Sequence, residues 1–80
     1  MKVYQLAVIE KDNSIRFFRH IFDSVEKCRN LMRCYADNDS AAGVKVYTYN
    51  GAYSSESPEK FPENTWCFDC VYFIVETKVQ

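Results

Sequence analysis

The sequence predicts a single small α+β domain of ββαββ order. Its four-stranded sheet is antiparallel or mixed, and one helix packs on one face. Three observations carry this prediction. Two β-rich runs flank turn chemistry near the start, one segment with helical apolar spacing follows, and two further β-rich runs close the chain. Two strand pairs joined by one helix place the helix on a single face of a sheet. Eighty residues are enough for one domain, 1–80. A domain of this size buries roughly 60% of the surface its unfolded chain exposes, so the core is real but small.

Lys2 to Glu10 reads as the first strand. Tyr4, Leu6 and Val8 share one face, and Val3, Ala7 and Ile9 the other. Apolar residues on both faces mark a central strand. The "KDNS" stretch at 11–14 is turn chemistry, because Asp and Asn accept left-handed backbone and make local hydrogen bonds. Ser14 to Phe22 is then the partner strand, with Ile15, Phe17 and Ile21 on one side. Arg16, Phe18, His20 and Phe22 lie on the other. Phe17 is expected in the core.

The helix is the clearest element. Asp23 is a good N-cap residue and Glu26 follows three positions on, as in a capping box, with Phe22 placed to staple the entry. Val25, Cys28, Leu31, Met32, Tyr35 and Ala36 form one apolar stripe. The helix is expected to fade at "ADNDS", residues 36–40, where Asp and Asn compete for backbone hydrogen bonds. Gly43 to Tyr53 reads as the third strand, with Asn50 and Gly51 marking a tight turn or a bulge. "SSESPEKFPEN" at 54–64 is a polar loop, expected to be the most mobile part. Trp66 to Thr77 is the last strand, and its apolar run "VYFIV" points to a central position.

The N-terminal run lacks a small-residue cleavage site and reads as a strand rather than a signal peptide. No apolar run approaches the length of a membrane span. The expected setting is cytoplasmic, where thiols stay reduced. Net charge is −1, which gives no overall pull toward nucleic acid or anionic membrane. Residues 1–35 carry a net +3 and residues 36–80 a net −4, an asymmetry that a small fold can interleave.

Four cysteines raise the question of chemistry. "WCFDC", residues 66–70, resembles the W-C-x-x-C motif of thioredoxin-like proteins. That resemblance covers five residues and implies thiol redox activity at Cys67 and Cys70. In that family the motif opens a helix whose N-terminus lowers a thiol pKa, whereas here the following residues read as strand. Zinc is a second option. Cys-x₂-Cys is suitable spacing, and Cys28, Cys67, Cys70 and His20 would make a Cys₃His set. Cys28 and Cys34 lie about 240° apart on a helix, so both cannot easily reach one ion. Odd spacing on an intact strand sends Cys67 and Cys70 to opposite faces. The expectation is therefore no metal and no cofactor. Cys28 and one of Cys67 and Cys70 act as small buried hydrophobes, and Cys34 is exposed.

"RFFRH", residues 16–20, mixes basic and aromatic side chains, as single-stranded nucleic-acid binders do, and gives a second alternative. The paired acids Asp37/Asp39 and Glu56/Glu59 are expected to be solvated in polar turns. No catalytic constellation assembles from these residues, and aromatics make up 16% of the chain. The leading expectation is a non-enzymatic protein-binding module using an aromatic sheet surface, with Phe18, Tyr47, Tyr49, Tyr53 and Tyr72 candidates for solvent-facing positions. Its contact residues are expected to be Tyr47, Tyr49 and Tyr53, with Arg16 and Arg19 nearby. The partner is another protein or a second copy. Such a domain suits an accessory or inhibitor role of the kind phages and other mobile elements encode, by analogy of size and style.

Overall fold

The computed structural model of the chain describes residues 1–54 and 67–79. Strand β1 spans Lys2–Glu10 and β2 spans Ile15–Phe22. The turn between them is closed by Asp12, whose Oδ1 accepts from the Ser14 amide at 3.0 Å and the Ser14 hydroxyl at 2.6 Å. Asn13 takes a φ of 68°, the left-handed conformation that Asn tolerates better than most residues.

Helix α1 runs Val25–Ala41. Its N-cap is Ser24, whose Oγ accepts from the Lys27 amide at 3.3 Å, rather than the expected Asp23. Asp23 lies one residue earlier and instead pairs with Lys27 Nζ at 2.8 Å on the surface. Either residue type can cap, and the strand's end at Phe22 leaves room for one more residue before the helix.

The helix does not fade at residues 36–40. It continues to Ala41, and Gly43 at φ 86° provides the stop. Left-handed backbone at this position is what glycine accepts without steric cost. The Val44 amide donates back to the Asp39 carbonyl at 3.0 Å and the Gly43 amide to that of Ser40 at 3.1 Å, so these two carbonyls near the helix end are satisfied.

Strand β3 is Val46–Tyr53 and β4 is Cys70–Lys78, each shorter at its start than the sequence predicts. Gly43 to Lys45 is used up in leaving the helix. Cys67 to Asp69 precedes β4 and is docked by Asp69, whose amide donates to the Lys45 carbonyl at 2.8 Å. The Asp69 carboxylate accepts from the Lys45 amide at 3.0 Å in return. Of the polar loop expected over 54–64, residues 55–64 lie outside the described residues, as does Trp66.

The four strands form one mixed sheet in the order β2-β1-β4-β3. β1 is antiparallel to both neighbours, and β3 is parallel to β4. β1 and β4 are thus the central strands, as their two apolar faces predict. Asn50 and Gly51 lie in an irregularity of β3 between Thr48 and Ala52, and make no internal hairpin. Arg29 on α1 donates from Nε to the Asn50 carbonyl at 3.1 Å, which ties this kink to the helix.

The core lies between α1 and one sheet face. Leu6, Val8, Cys28, Met32, Tyr72 and Ile74 are buried there, ringed by Phe18, Phe22, Val25, Leu31 and others. Among the described residues no helix is long and apolar enough to cross a membrane.

Candidate functional site

Two regions carry distinctive surface chemistry. The first is the sheet face turned away from α1. Strand register places apolar side chains in rows across it. One row is Ile15, Ile9, Val71 and Tyr47. A second is Phe17, Ala7 and Phe73, and a third is Ile21, Gln5, Val75 and Tyr53. Ala7, Val71 and Phe73 are buried in the middle of this face. Exposure is concentrated on edge strand β2, where Ile15 is 55% exposed, Phe17 53% and Ile21 62%. Phe17 therefore belongs to the surface and not to the core. β1 and β2 change register between Gln5 and Ala7, and Gln5 Nε2 donates to the Phe18 carbonyl at 2.6 Å, satisfying the bulged backbone there.

Tyr47, Tyr49 and Tyr53 lie on β3, the opposite edge of the sheet from β2. Tyr49 packs against Tyr53 with ring centroids 4.8 Å apart, Tyr53 meets Phe73 edge-on at 5.6 Å, and Tyr47 meets Phe68 at 5.3 Å. Arg16 and Arg19 are on β2, so the structure does not bring the two arginines near the three tyrosines. Two strands separate them, a span of roughly 14 Å. Arg16 turns to the helix side, because it pairs in register with the core residue Val8.

The second region is a cavity of about 530 Å³ on the helix side. Its wall includes Phe18, Tyr35 and Tyr72, whose rings lie near-parallel with centroids 4.7 Å (Phe18–Tyr35), 6.2 Å (Phe18–Tyr72) and 6.4 Å (Tyr35–Tyr72) apart. Neither Phe18 nor Tyr72 faces open solvent. Tyr72 is 4% exposed, and Phe18 packs against the core because its position on β2 faces α1. Asp39 also lines the cavity and is half-buried rather than solvated in a turn. Its Oδ2 accepts from the Tyr72 hydroxyl at 2.5 Å and faces the Cys70 thiol at 3.9 Å. A missed signal explains this placement. Cys28, Met32, Tyr35 and Asp39 follow one another at spacings of four, three and four, so Asp39 continues the inward stripe of the helix. The expected helix end at residues 36–40 puts Asp39 in a solvated polar turn instead, and the helix's continuation to Ala41 overturns that.

The remaining candidates scatter. Cys28 is buried in the core, Cys70 is partly buried at its edge, and Cys34 and Cys67 are exposed; all four are free thiols. Cys67 precedes β4, so strand alternation does not govern its direction. His20 is an exposed residue of edge strand β2, with its ring 6.2 Å from that of Phe22. Among the described residues no group of three or more His, Cys, Asp or Glu is placed to hold a metal ion.

Burial pushes the Cys70 thiol up to about 11, with the Asp39 carboxylate adding to the effect. This is opposite to the activation that thiol redox chemistry needs. Burial alone pushes Cys28 up to about 11. Within "RFFRH", Phe17 and Phe18 point to opposite sides of the sheet, and Arg16 is held by Glu10 at 3.4 Å. The five residues thus form no common stacking platform.

Compared with known proteins, the sequence matches no protein-family model and no curated protein, and the fold matches no solved structure.

Proposed function

We propose that this chain is a non-enzymatic protein-binding module whose contact surface is the sheet face turned away from α1, anchored at edge strand β2. The observation that supports this reading is the trio Ile15, Phe17 and Ile21, each more than half exposed on one side of one strand. Large apolar groups clustered on a small domain's surface mark interaction sites. Covering a side chain of this size fully contributes about 1.5–3 kcal/mol relative to leaving it in water. Arg19, exposed on the same strand, supplies a basic polar rim. Among the described residues β2 pairs only with β1, so its other edge offers a row of backbone groups on which an extended segment can align. The partner this fits is another protein, presenting an apolar strand flanked by acidic residues. Tyr47 and Tyr53 extend the same face toward its far edge. The proposal sets the chain in the cytoplasm, in an accessory or inhibitory role.

The test is site-specific photo-crosslinking in cells from position 17, with position 34 on the helix as control. The expected result is a discrete adduct from position 17 only, lost in the Ile15→Ser/Ile21→Ser variant. Equal adducts from both positions, or an adduct unaffected by the double substitution, would overturn this surface. An adduct of twice the chain mass identifies the occupant as a second copy, contrary to the acidic partner proposed.

A further inference from the structure

The cavity beside Asp39 carries chemistry that the proposed contact face does not use. Its volume falls in the range that holds small ligands. Two basic groups line it, and both already have acid partners. Arg16 meets Glu10 at 3.4 Å, and Lys11 meets Asp69 at 3.4 Å. Two further carboxylates, Asp12 and Asp39, are held only by uncharged donors among the described residues. Asp12 accepts from Ser14, and Asp39 accepts from Tyr72 and Cys70. Both contacts to Asp39 fall on Oδ2, which leaves Oδ1 for another donor. The cavity thus combines an excess of two negative charges with a wall of aromatic rings.

The molecule itself shows what such a wall holds. The Arg16 guanidinium lies 5.6 Å from the centroid of the Phe18 ring while pairing with Glu10. A planar cation over a ring, with a carboxylate at its edge, is a favourable arrangement for guanidinium groups. Further along the same wall Tyr35, exposed over about a third of its surface, offers a ring, and Asp39 offers the carboxylate. We propose that this cavity is a binding site for a guanidinium group, its charge on Asp39 and its plane on Tyr35. The group belongs either to a free small molecule or to an arginine side chain of a peptide.

Titration of the isotope-labelled chain at low salt, followed by NMR, tests this with three probes. Agmatine represents the free ligand and N-acetyl-arginine amide the peptide side chain. N-acetyl-citrulline amide has nearly the same shape without the charge. The expected result is saturable shifts at Tyr35, Asp39 and Tyr72 with one or both guanidinium probes, and binding of the citrulline probe weaker by about tenfold or more. Asp39→Asn keeps an acceptor for Tyr72 and should weaken binding by about tenfold, whereas Asp23→Asn, outside the cavity, should not. Tyr35→Leu removes the ring without touching the Asp39–Tyr72 bond, and should weaken binding even if the Asn variant proves unstable. Binding of agmatine alone assigns a free ligand, and binding of the arginine amide alone assigns a peptide. Equal binding of citrulline, unchanged affinity in the Asn or Leu variant, or no saturable shift up to about 10 mM probe would overturn the site. The Ile15→Ser/Ile21→Ser variant should bind the probes normally, which separates this site from the contact face.

Discussion

Tyr72 on β4 donates its hydroxyl hydrogen to Asp39 on α1 at 2.5 Å, joining two elements 33 residues apart. The phenol is buried and the carboxylate half-buried, so neither group is fully compensated by water if the other is lost. Tyr72→Phe should therefore destabilise the domain by about 1.5–2 kcal/mol, the lower part of the range for hydrogen bonds to charged groups. Urea unfolding at neutral pH measures this. Asp39→Asn should cost less, because an amide oxygen still accepts.

Alkaline pH should weaken the fold in a defined window. Cys28 and Cys70 are raised from 9.0 to about 11. Tyr72 is raised above its ordinary 10.0, first by burial and then by its bond to Asp39. In each case the folded chain keeps a proton that the unfolded chain releases. Stability from these groups is complete below pH 9, falls between pH 9 and about 11, and falls further while Tyr72 stays protonated. The urea midpoint at pH 8, 9, 10 and 11 should trace that decline, and Cys70→Ala should flatten it. At pH 8, iodoacetamide should label Cys34 and Cys67 well before Cys28 and Cys70, as peptide mass mapping would show.

The helix start offers a comparison of two adjacent residues. Ser24→Ala removes the acceptor for the Lys27 amide and should cost about 0.5–2 kcal/mol. Asp23→Ala removes only an exposed ion pair and should cost less. Thermal unfolding of the two variants should rank them in this order. The reverse ranking would return the cap to Asp23.

Core and contact face should separate cleanly under substitution. Met32 is fully buried, and Met32→Ala should cost about 2–5 kcal/mol. Phe17→Thr acts on a side chain more than half exposed, is favourable for a strand, and should change stability by less than about 1 kcal/mol. Denaturant midpoints for the pair test this assignment of faces independently of any partner.

Local patterns made most of the fold legible. Period-two alternation located β1 to the residue, and the 3.6-residue stripe located Cys28 and Met32 in the core. What local patterns cannot encode is which face of a strand meets the helix. Ile15, Phe17 and Ile21 form as apolar a row as Phe18 and Phe22, and only the pairing of β2 with β1 sends the first row outward. Strand order is equally hidden from local patterns, and it sets Arg16 and the β3 tyrosines at opposite edges. The end of α1 was misplaced because residues 36–40 were weighed by composition. Gly43 held the stop signal, and Tyr72, far along the chain, gives Asp39 a reason to face inward.

The two central strands of the sheet are the first and last elements of the chain. β1 leaves the ribosome well before β4, so of its two neighbours only β2 is available early. Residues such as Leu6 and Val8 acquire Ile74 and Tyr72 beside them only after Cys70–Lys78 has been synthesised. At ordinary elongation speeds of about 5–20 residues per second, the interval between the two strands lasts several seconds. During that time an apolar hairpin waits without its central partner. This topology holds back the core until β4 has emerged, and leaves the nascent β1–β2 hairpin the form most in need of protection from aggregation.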